Sequence, residues 1–554
     1  RASWEKQKAD GRTGANLKLW TRRRSTQVGI AWVLSVVFVR TLEDRGLLSR
    51  RRIAGDGAED SERQFISLFP FLNTRDYLLA LFTELAGLPG AADLFDARHN
   101  PVWVLAPSAK QCRALVDFFR QTDADGSLVF RFDGEDTRFL GDLYQNLSED
   151  VRKRYALLQT PEFVEQFILE QTLDPAVEAF GLEEVRLIDP TAGSGHFLLG
   201  AFHSLLDKWQ GKAPGEDRQV LAQRALSQVY GCDLNPYAVA IARFRLTLEF
   251  LQVAGINKLE KAPRLPLNLC VADSLLHGVV GQQMRLSETV DGEGRVAWGD
   301  QLFALEDEAE ALRILEQRYH AVVGNPPYIT EKDATKRKKY RELYVSAAGK
   351  FALAAPFTER FFGLAMPSGF VGMINSNAFT KRDFGKALIE QVLPRVDVTK
   401  IVDTSGAYIP GHGTPTLLLF GRNRVAGTDD VTAVLGKRGE AEEPADPASA
   451  PVWSEIAGHH GEEGFDGRYI SVEPVGRENL GEHPWVLVGG GARRLKSHVD
   501  SQQDMVLDAM VDSIGFMAIT GEDDAFSRPA HTLRIPRHRD HSFHGIVITH
   551  STAS

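Results

Sequence analysis

Between about residue 136 and residue 425 the sequence predicts an α/β fold, a parallel sheet covered by helices on both faces. Three observations carry this. Short β-rich runs at 185–188, 229–232, 267–271, 321–323, 370–374, 399–402 and 416–420 alternate with amphipathic helical stretches, the pattern of successive βαβ units. The first of these strands runs directly into a glycine-bearing turn, and the second ends in an acidic residue, as expected for a ligand crevice at the carboxyl edge of such a sheet. The preceding 135 or so residues lack this alternation and read as mostly helical.

In that N-terminal region, 77–86 and 109–119 carry apolar residues at three- and four-residue spacing, the period of a half-buried helix. Leu88-Pro89-Gly90 and the segment 123–126 break the helices. The apolar run 28–39 follows Arg22, Arg23 and Arg24 and superficially resembles a signal peptide. Its twelve residues are too few to span a bilayer, no small-x-small cleavage site follows, and Arg40, Glu43 and Asp44 come next. A buried helix is expected there, and no membrane contact. The sequence begins at Arg1, which reads as a fragment or a processed chain.

Further along, 287–300 is rich in glycine and charge and reads as a surface insertion, and 436–450 has the Pro/Ala/acidic composition of a linker. Residues 536–554 show no readable pattern. The expected division is thus a helical region at 1–135, an α/β core at 136–425, and a linker with an incomplete C-terminal segment at 426–554. Across the 554 residues, 74 acidic against 64 basic side chains give a net charge of −10. That excludes a generally polybasic nucleic-acid binder but leaves room for a local basic groove. Three widely spaced cysteines, none in a CxxC pattern, exclude a disulfide scaffold and a cysteine-based zinc site and fit a reducing cytosol.

The turn after the first strand reads Asp189-Pro190-Thr191-Ala192-Gly193-Ser194-Gly195-His196-Phe197, followed by a helix at 197–209. Glycines at 193 and 195 let the backbone approach a ligand. The run GSGHFLLG is not the dinucleotide GxGxxG, and no GxxxxGK[ST] phosphate loop exists in the chain. An acid before the turn suits a cation-bearing ligand. Asp233, followed by Leu234-Asn235-Pro236, stands at the second strand tip, where a ribose diol is held in such sheets. Asp273-Ser274 stands at the third, and a helix N-cap explains that pair as well as a ligand contact does. The fourth strand runs into Gly324-Asn325-Pro326-Pro327-Tyr328, a turn stiffened by two prolines that donate no backbone hydrogen bond.

In this order, DPTAGSGHF, GCDLNP and VVGNPPY resemble the amino-methyltransferases that use S-adenosylmethionine, NPPY being most familiar from adenine-N6 enzymes. Downstream, residues 349–386 (GKFALAAPFTERFFGLAMPSGFVGMINSNAFTKRDFGK) and 401–422 (IVDTSGAYIPGHGTPTLLLFGR) resemble the PglX-type methyltransferases of phage-exclusion (BREX, phage growth limitation) systems, most like the type 2 form. The resemblance implies a Rossmann-like methyltransferase core, a cytoplasmic bacterial enzyme, double-stranded DNA as partner, and association with other BREX subunits. Such proteins are longer than this chain and carry a target-recognition region beyond the core. The resemblance assigns Asp189, Thr191, Ala192, Gly193, Ser194, Gly195, Phe197, Asp233, Leu234 and Asp273 to the cofactor. It adds Thr160-Pro161, which also reads as an N-cap followed by proline at the first helical position.

Catalysis then falls to Asn325, Pro326, Pro327 and Tyr328. Adenine N6 is a poor nucleophile because its lone pair is delocalised into the ring. The Asn325 side-chain oxygen and the Pro326 carbonyl can accept its two hydrogens, localise that pair and stabilise the developing positive charge. The base must leave the duplex to be reached, and Tyr328 offers an aromatic face to stack on. Lys336, Arg337, Lys338, Lys339 and Arg341, just after this turn, are candidates for DNA phosphate contact, with a solvated helix face as the alternative. His531, His538, His541 and His544 lack a supporting carboxylate or cysteine frame, so no metal site is assigned.

Other functions remain open at this point. They are a restriction-modification methyltransferase, an NPPY enzyme acting on RNA or on protein glutamine, and a defence subunit that binds cofactor without catalysis. A fused PD-(D/E)xK nuclease is not among them, because no lysine in the chain has Asp or Glu two positions before it.

Overall fold

The computed structural model describes residues 4–5, 16–96, 100–134, 137–141, 160–279 and 308–490, with two short strands at 514–515 and 547–548. The expected insertion at 287–300, the four C-terminal histidines and nearly all of 536–554 lie outside these. Residues 1–490 form one compact unit and 491–554 a second, in which Ile514–Gly515 pairs antiparallel with Val547–Ile548.

The helical region holds α1 (Leu17–Asp44), α2 (Ala58–Leu68), α3 (Thr74–Ala86) and α4 (Ala109–Phe119). Side-chain capping starts three of them: Asn16 accepts from Leu19 N, and Asn73 and Ser108 each form a capping box with the residue three positions on. Helix α1 corrects one expectation. It extends well past the twelve-residue apolar run, and its 28 residues are long and apolar enough to cross a membrane. Packing distinguishes it: 72% of its most apolar window is buried inside the protein. Phe38 stacks on Phe244 with ring centroids 4.2 Å apart, and the Tyr237 hydroxyl donates to Gln27 O at 3.0 Å. Arg40, fully buried in α1, is neutralised by Glu43 and Asp44 one turn on, both at 2.6 Å. An unpaired guanidinium there would cost several kcal/mol.

The core alternates as expected: α5 (Glu162–Glu170), α6 (Leu173–Phe180), β1 (Leu187–Asp189), α7 (His196–Lys212), α8 (Arg218–Ser227), β2 (Val229–Asp233), α9 (Pro236–Val253), β3 (Asn268–Val271), α10 (Glu308–Leu315), β4 (Tyr319–Gly324), α11 (Ala334–Leu343), α12 (Ala354–Leu364), β5 (Ala365–Ser376), β6 (Asp397–Asp403) and β7 (Thr416–Arg422). All seven strands contain or overlap the expected runs. Successive side chains enter opposite cores: Leu187, Ala321 and Val323 pack on one face, Ile188 and Val322 on the other.

The sheet order is β3-β2-β1-β4-β5-β7-β6, continued by β8 (Asp430–Gly436) and β9 (Ile470–Gly476). Its first five strands are parallel, but β7 runs antiparallel between β5 and β6, and β9 antiparallel to β8. The parallel βαβ units expected from the sequence are present in β1 to β5, and the rest of the sheet is mixed. Between β6 and β7 the chain has only the twelve-residue segment 404–415 and no helix, whereas a parallel neighbour is usually reached through a helical crossover. The sheet also continues past residue 425, so residues 430–476, with α13 (Pro451–His459), belong to the compact core unit. Strand order reverses between β1 and β4, the switch point where a crevice opens at the carboxyl ends.

Candidate active site

Three motifs meet at that switch point. Asp189 ends β1 and is almost wholly buried; its Oδ1 accepts from Thr191 N at 2.8 Å and from Thr191 Oγ1 at 3.0 Å. Burial pushes its carboxyl up to about 7, with the Thr191 bonds opposing and Asp233 adding to the rise. Asp233, at the tip of β2, accepts from Gly193 N at 2.9 Å and from Asn235 N at 2.8 Å, and burial pushes it up to about 6. The first bond spans forty residues and locks the glycine turn to the second strand tip. Ala192 N adds a bond to Cys232 O at 3.0 Å.

The turn's open side is at Gly193. Its φ of +52° lies in the left-handed region, and a Cβ there would meet nothing closer than Thr191 O at 3.9 Å. A ligand can therefore approach this backbone, flanked by two carboxyl groups and by half-exposed Leu234. Below it the turn is braced. Arg245 donates to Ser194 O at 2.8 Å and to Thr137 Oγ1 at 3.0 Å, and Gly195 caps α7. Phe197 is buried in the core beneath the turn, where it supports the loop. Glu165 on α5 and His196 at the start of α7 are also buried; desolvation pushes the first up to about 8 and the second down to about 3.

Asn325 follows β4, next to β1. Gly324 makes that approach possible, since a Cβ there would stand 2.5 Å from Asp189 Oδ1 and 2.6 Å from Thr191 Oγ1. All the polar atoms of the Asn325 amide are engaged. Nδ2 donates to Thr160 Oγ1 at 3.2 Å and lies 3.3 Å from His412 Nε2, while Oδ1 accepts from the Tyr328 hydroxyl at 2.8 Å. Pro326 is buried and Pro327 and Tyr328 are half-buried, so the aromatic face is partly open. Pro161, not Thr160, occupies the N-cap of α5, and the Thr160 hydroxyl instead accepts from Asn325 Nδ2 in the loop after β4.

Asp273 stands at the next strand tip, and Ser274 beside it donates to Pro190 O of the turn at 2.7 Å. Asp273 Oδ1 accepts from Leu275 N at 3.1 Å, the capping-type contact that its sequence also allowed. Its Oδ2 accepts from the Tyr340 hydroxyl at 2.7 Å and from Lys336 Nζ at 3.3 Å. The basic run forms α11, and its charges divide. Lys336 is committed to Asp273, and Arg341 donates to Gly349 O at 2.6 Å, whereas Lys338 is exposed and Arg337 half-exposed. His412, in the loop between β6 and β7, received no role from sequence reasoning. Only its position within GHGTP, in a stretch already singled out, pointed to it. Among the described residues no cluster of His, Cys, Asp and Glu could hold a metal ion.

The family described as Eco57I restriction-modification methylase matches residues 227–409. The adenine-specific methyltransferase PglX of Streptomyces coelicolor is 41% identical over 96% of this chain and 46% of its own length. The type II methyltransferase M.BstVI of Geobacillus stearothermophilus is 28% identical over 40% of this chain and 34% of its own. A solved modification subunit of a putative type I restriction enzyme from Vibrio vulnificus YJ016 overlays with a TM-score of 0.42 at 16% identity, over 71% of each chain, too loosely to add to the sequence matches. The chain thus spans less than half the length of the two curated relatives. Over the stretch it shares with PglX, the chain is similar to that adenine-specific methyltransferase.

Proposed function

We propose that this chain is the methyltransferase portion of an enzyme that moves a methyl group from S-adenosylmethionine to N6 of adenine in double-stranded DNA, in a bacterial phage-defence setting. The observation that carries the reading is the Asn325 amide. Both amide hydrogens have acceptors on the protein side, so the oxygen, with one lone pair beyond the bond from Tyr328, is the atom that can serve a substrate amine.

The cofactor fits the residues present. The open backbone at Gly193 leaves room for it, and Asp189 and Asp233, which burial pushes toward the neutral form in the free protein, would ionise against a ligand bearing sulfonium and ammonium groups. Asp233, tied to two backbone N–H groups, is oriented to accept from ribose hydroxyls with its remaining lone pairs. When bound, S-adenosylmethionine supplies an electrophilic methyl group. Asn325 Oδ1 and the Pro326 carbonyl accept the N6 hydrogens, draw the nitrogen lone pair out of the ring and stabilise the positive charge as it forms. The N6 proton can leave to water afterwards, so no buried base is required. Tyr328 stacks on the flipped base.

Arg337, Lys338 and Lys339 are the candidates for phosphate contact on α11. Other BREX subunits are the proposed protein partners and the cytoplasm the proposed compartment. Residues 136–425 are proposed to carry the chemistry, with β8 and β9 completing their sheet. The test is transfer of labelled methyl from S-adenosylmethionine to duplex DNA, followed by nucleoside analysis. N6-methyladenine is the expected product; label found only in RNA or in protein would overturn the reading.

A further inference from the structure

An asparagine serves as an acceptor only if its amide points the right way, since a half-turn about the last bond exchanges oxygen for NH2. In this structure the choice rests on His412. Its Nδ1 lies 3.2 Å from Pro410 O. A carbonyl oxygen can only accept, so the ring proton sits on Nδ1. Nε2 then carries the lone pair, and it faces Asn325 Nδ2 at 3.3 Å. Thr160 Oγ1 takes the other amide hydrogen at 3.2 Å. With the amide turned over, its oxygen would confront the His412 lone pair, and NH2 would occupy the place meant for an acceptor.

We propose that neutral His412 is a positioning residue, holding the Asn325 oxygen toward the substrate amine, and that protonating its Nε2 turns the site off. This rests on the adenine-N6 reading and names a further residue for it. An imidazolium at this place would present a second donor to Asn325 NH2 and remove the preference for the productive orientation. It would also place positive charge beside a nitrogen that becomes positive during transfer. The groups facing the ring are the Asn325 amide and the Tyr328 phenol, whose ring centroid lies 6.0 Å away, both from the loop after β4, and Pro410 O from its own loop. Among the described residues no ionised side chain bonds to it. Burial holds its pKa below the ordinary histidine range, with the Pro410 bond opposing, so the ring is neutral at cellular pH.

Three variants separate positioning from bulk structure. His412→Leu removes the acceptor and should lower kcat by about ten- to a hundredfold, the loss usual when the partner orienting a metal-bound side chain is removed. The KM for cofactor should not move. His412→Gln retains an acceptor oxygen that can reach Asn325 and should restore most of the rate. At saturating cofactor and DNA, the parental kcat should fall about tenfold per pH unit below the His412 pKa. That limb should vanish in His412→Gln. A readout independent of activity uses the whole chain with 15N-labelled histidine, His412 being assigned by difference from His412→Gln. It should show a protonated Nδ1 and an unprotonated Nε2 at pH 7.5, and Asn325→Ala should shift the Nε2 signal. A protonated Nε2 at that pH, or parental kcat in His412→Leu, overturns the proposal even if adenine is methylated. The expected 15N pattern in a chain that leaves adenine unmodified refutes the adenine reading instead and leaves the positioning of Asn325 standing.

Discussion

The Tyr328 hydroxyl donates to Asn325 Oδ1 at 2.8 Å, so the ring proposed to stack on the base and the amide proposed to stabilise charge form one unit within the turn. An amide oxygen has two lone pairs, and one of them remains for the substrate. Burial keeps the phenol protonated far above its ordinary range, so it remains a donor at every working pH.

Asn325→Ala should lower the rate of methyl transfer about a hundred- to a thousandfold, the usual loss for one preorganised hydrogen-bond partner at a reacting atom. Calorimetry should find S-adenosylmethionine affinity retained, because Asn325 stands on a different strand end from Asp189 and Asp233. A parental rate in this variant would refute the mechanism.

Tyr328→Ala should weaken binding of an extrahelical adenine by about 1–3 kcal/mol, the worth of one base–aromatic stack. Tyr328→Phe retains the ring and loses only the bond to Asn325 Oδ1, at about 1 kcal/mol. Fluorescence of 2-aminopurine at the target position, with single-turnover rates, separates the two. Equal losses in both variants would mean that the hydroxyl, not the ring, matters.

If Asp189 and Asp233 hold the cofactor as proposed, its affinity should depend on pH. Their folded-state values of about 7 and about 6 stand above the ordinary 3.8, so the cofactor-free chain holds extra protons between pH 4 and 7. These two groups therefore make the free protein less stable as pH rises through that window. A cationic cofactor favours the ionised carboxylates, so its affinity should rise from pH 5 to a plateau above pH 7, with proton release near pH 6.5. Calorimetry in two buffers of different ionisation enthalpy measures that release. Asp233→Asn should flatten the profile, and an unchanged profile would remove this carboxylate from the site.

Neutralising Arg337 and Lys338 should reduce the slope of log affinity for DNA against log salt by about one unit for each phosphate no longer neutralised. Lys336→Gln should act differently. It breaks the partly buried pair with Asp273 and should lower thermal stability while hardly changing the slope. An unaltered slope in the Arg337, Lys338 double variant would return α11 to a solvated face.

Much of this architecture is local and therefore legible. Alternating apolar runs set strands and helices, Gly193 marks a backbone open to a ligand, and two prolines stiffen the turn after Asn325. Each depends on torsional preferences or side-chain spacing within a few residues. The tertiary structure decided what those preferences do not encode. Strand β7 runs antiparallel to β6, with no helix between them, and the apolar stretch within α1 proved part of a core helix only through the partners packed round it. Thr160 and His412 came to Asn325 from 165 and 87 residues away, and Lys336 came to Asp273 from 63. Such meetings follow from how a twisted sheet brings its strand ends together, which no local window records. The sequence by itself determined which groups could do the chemistry, and packing determined which way the Asn325 amide faces.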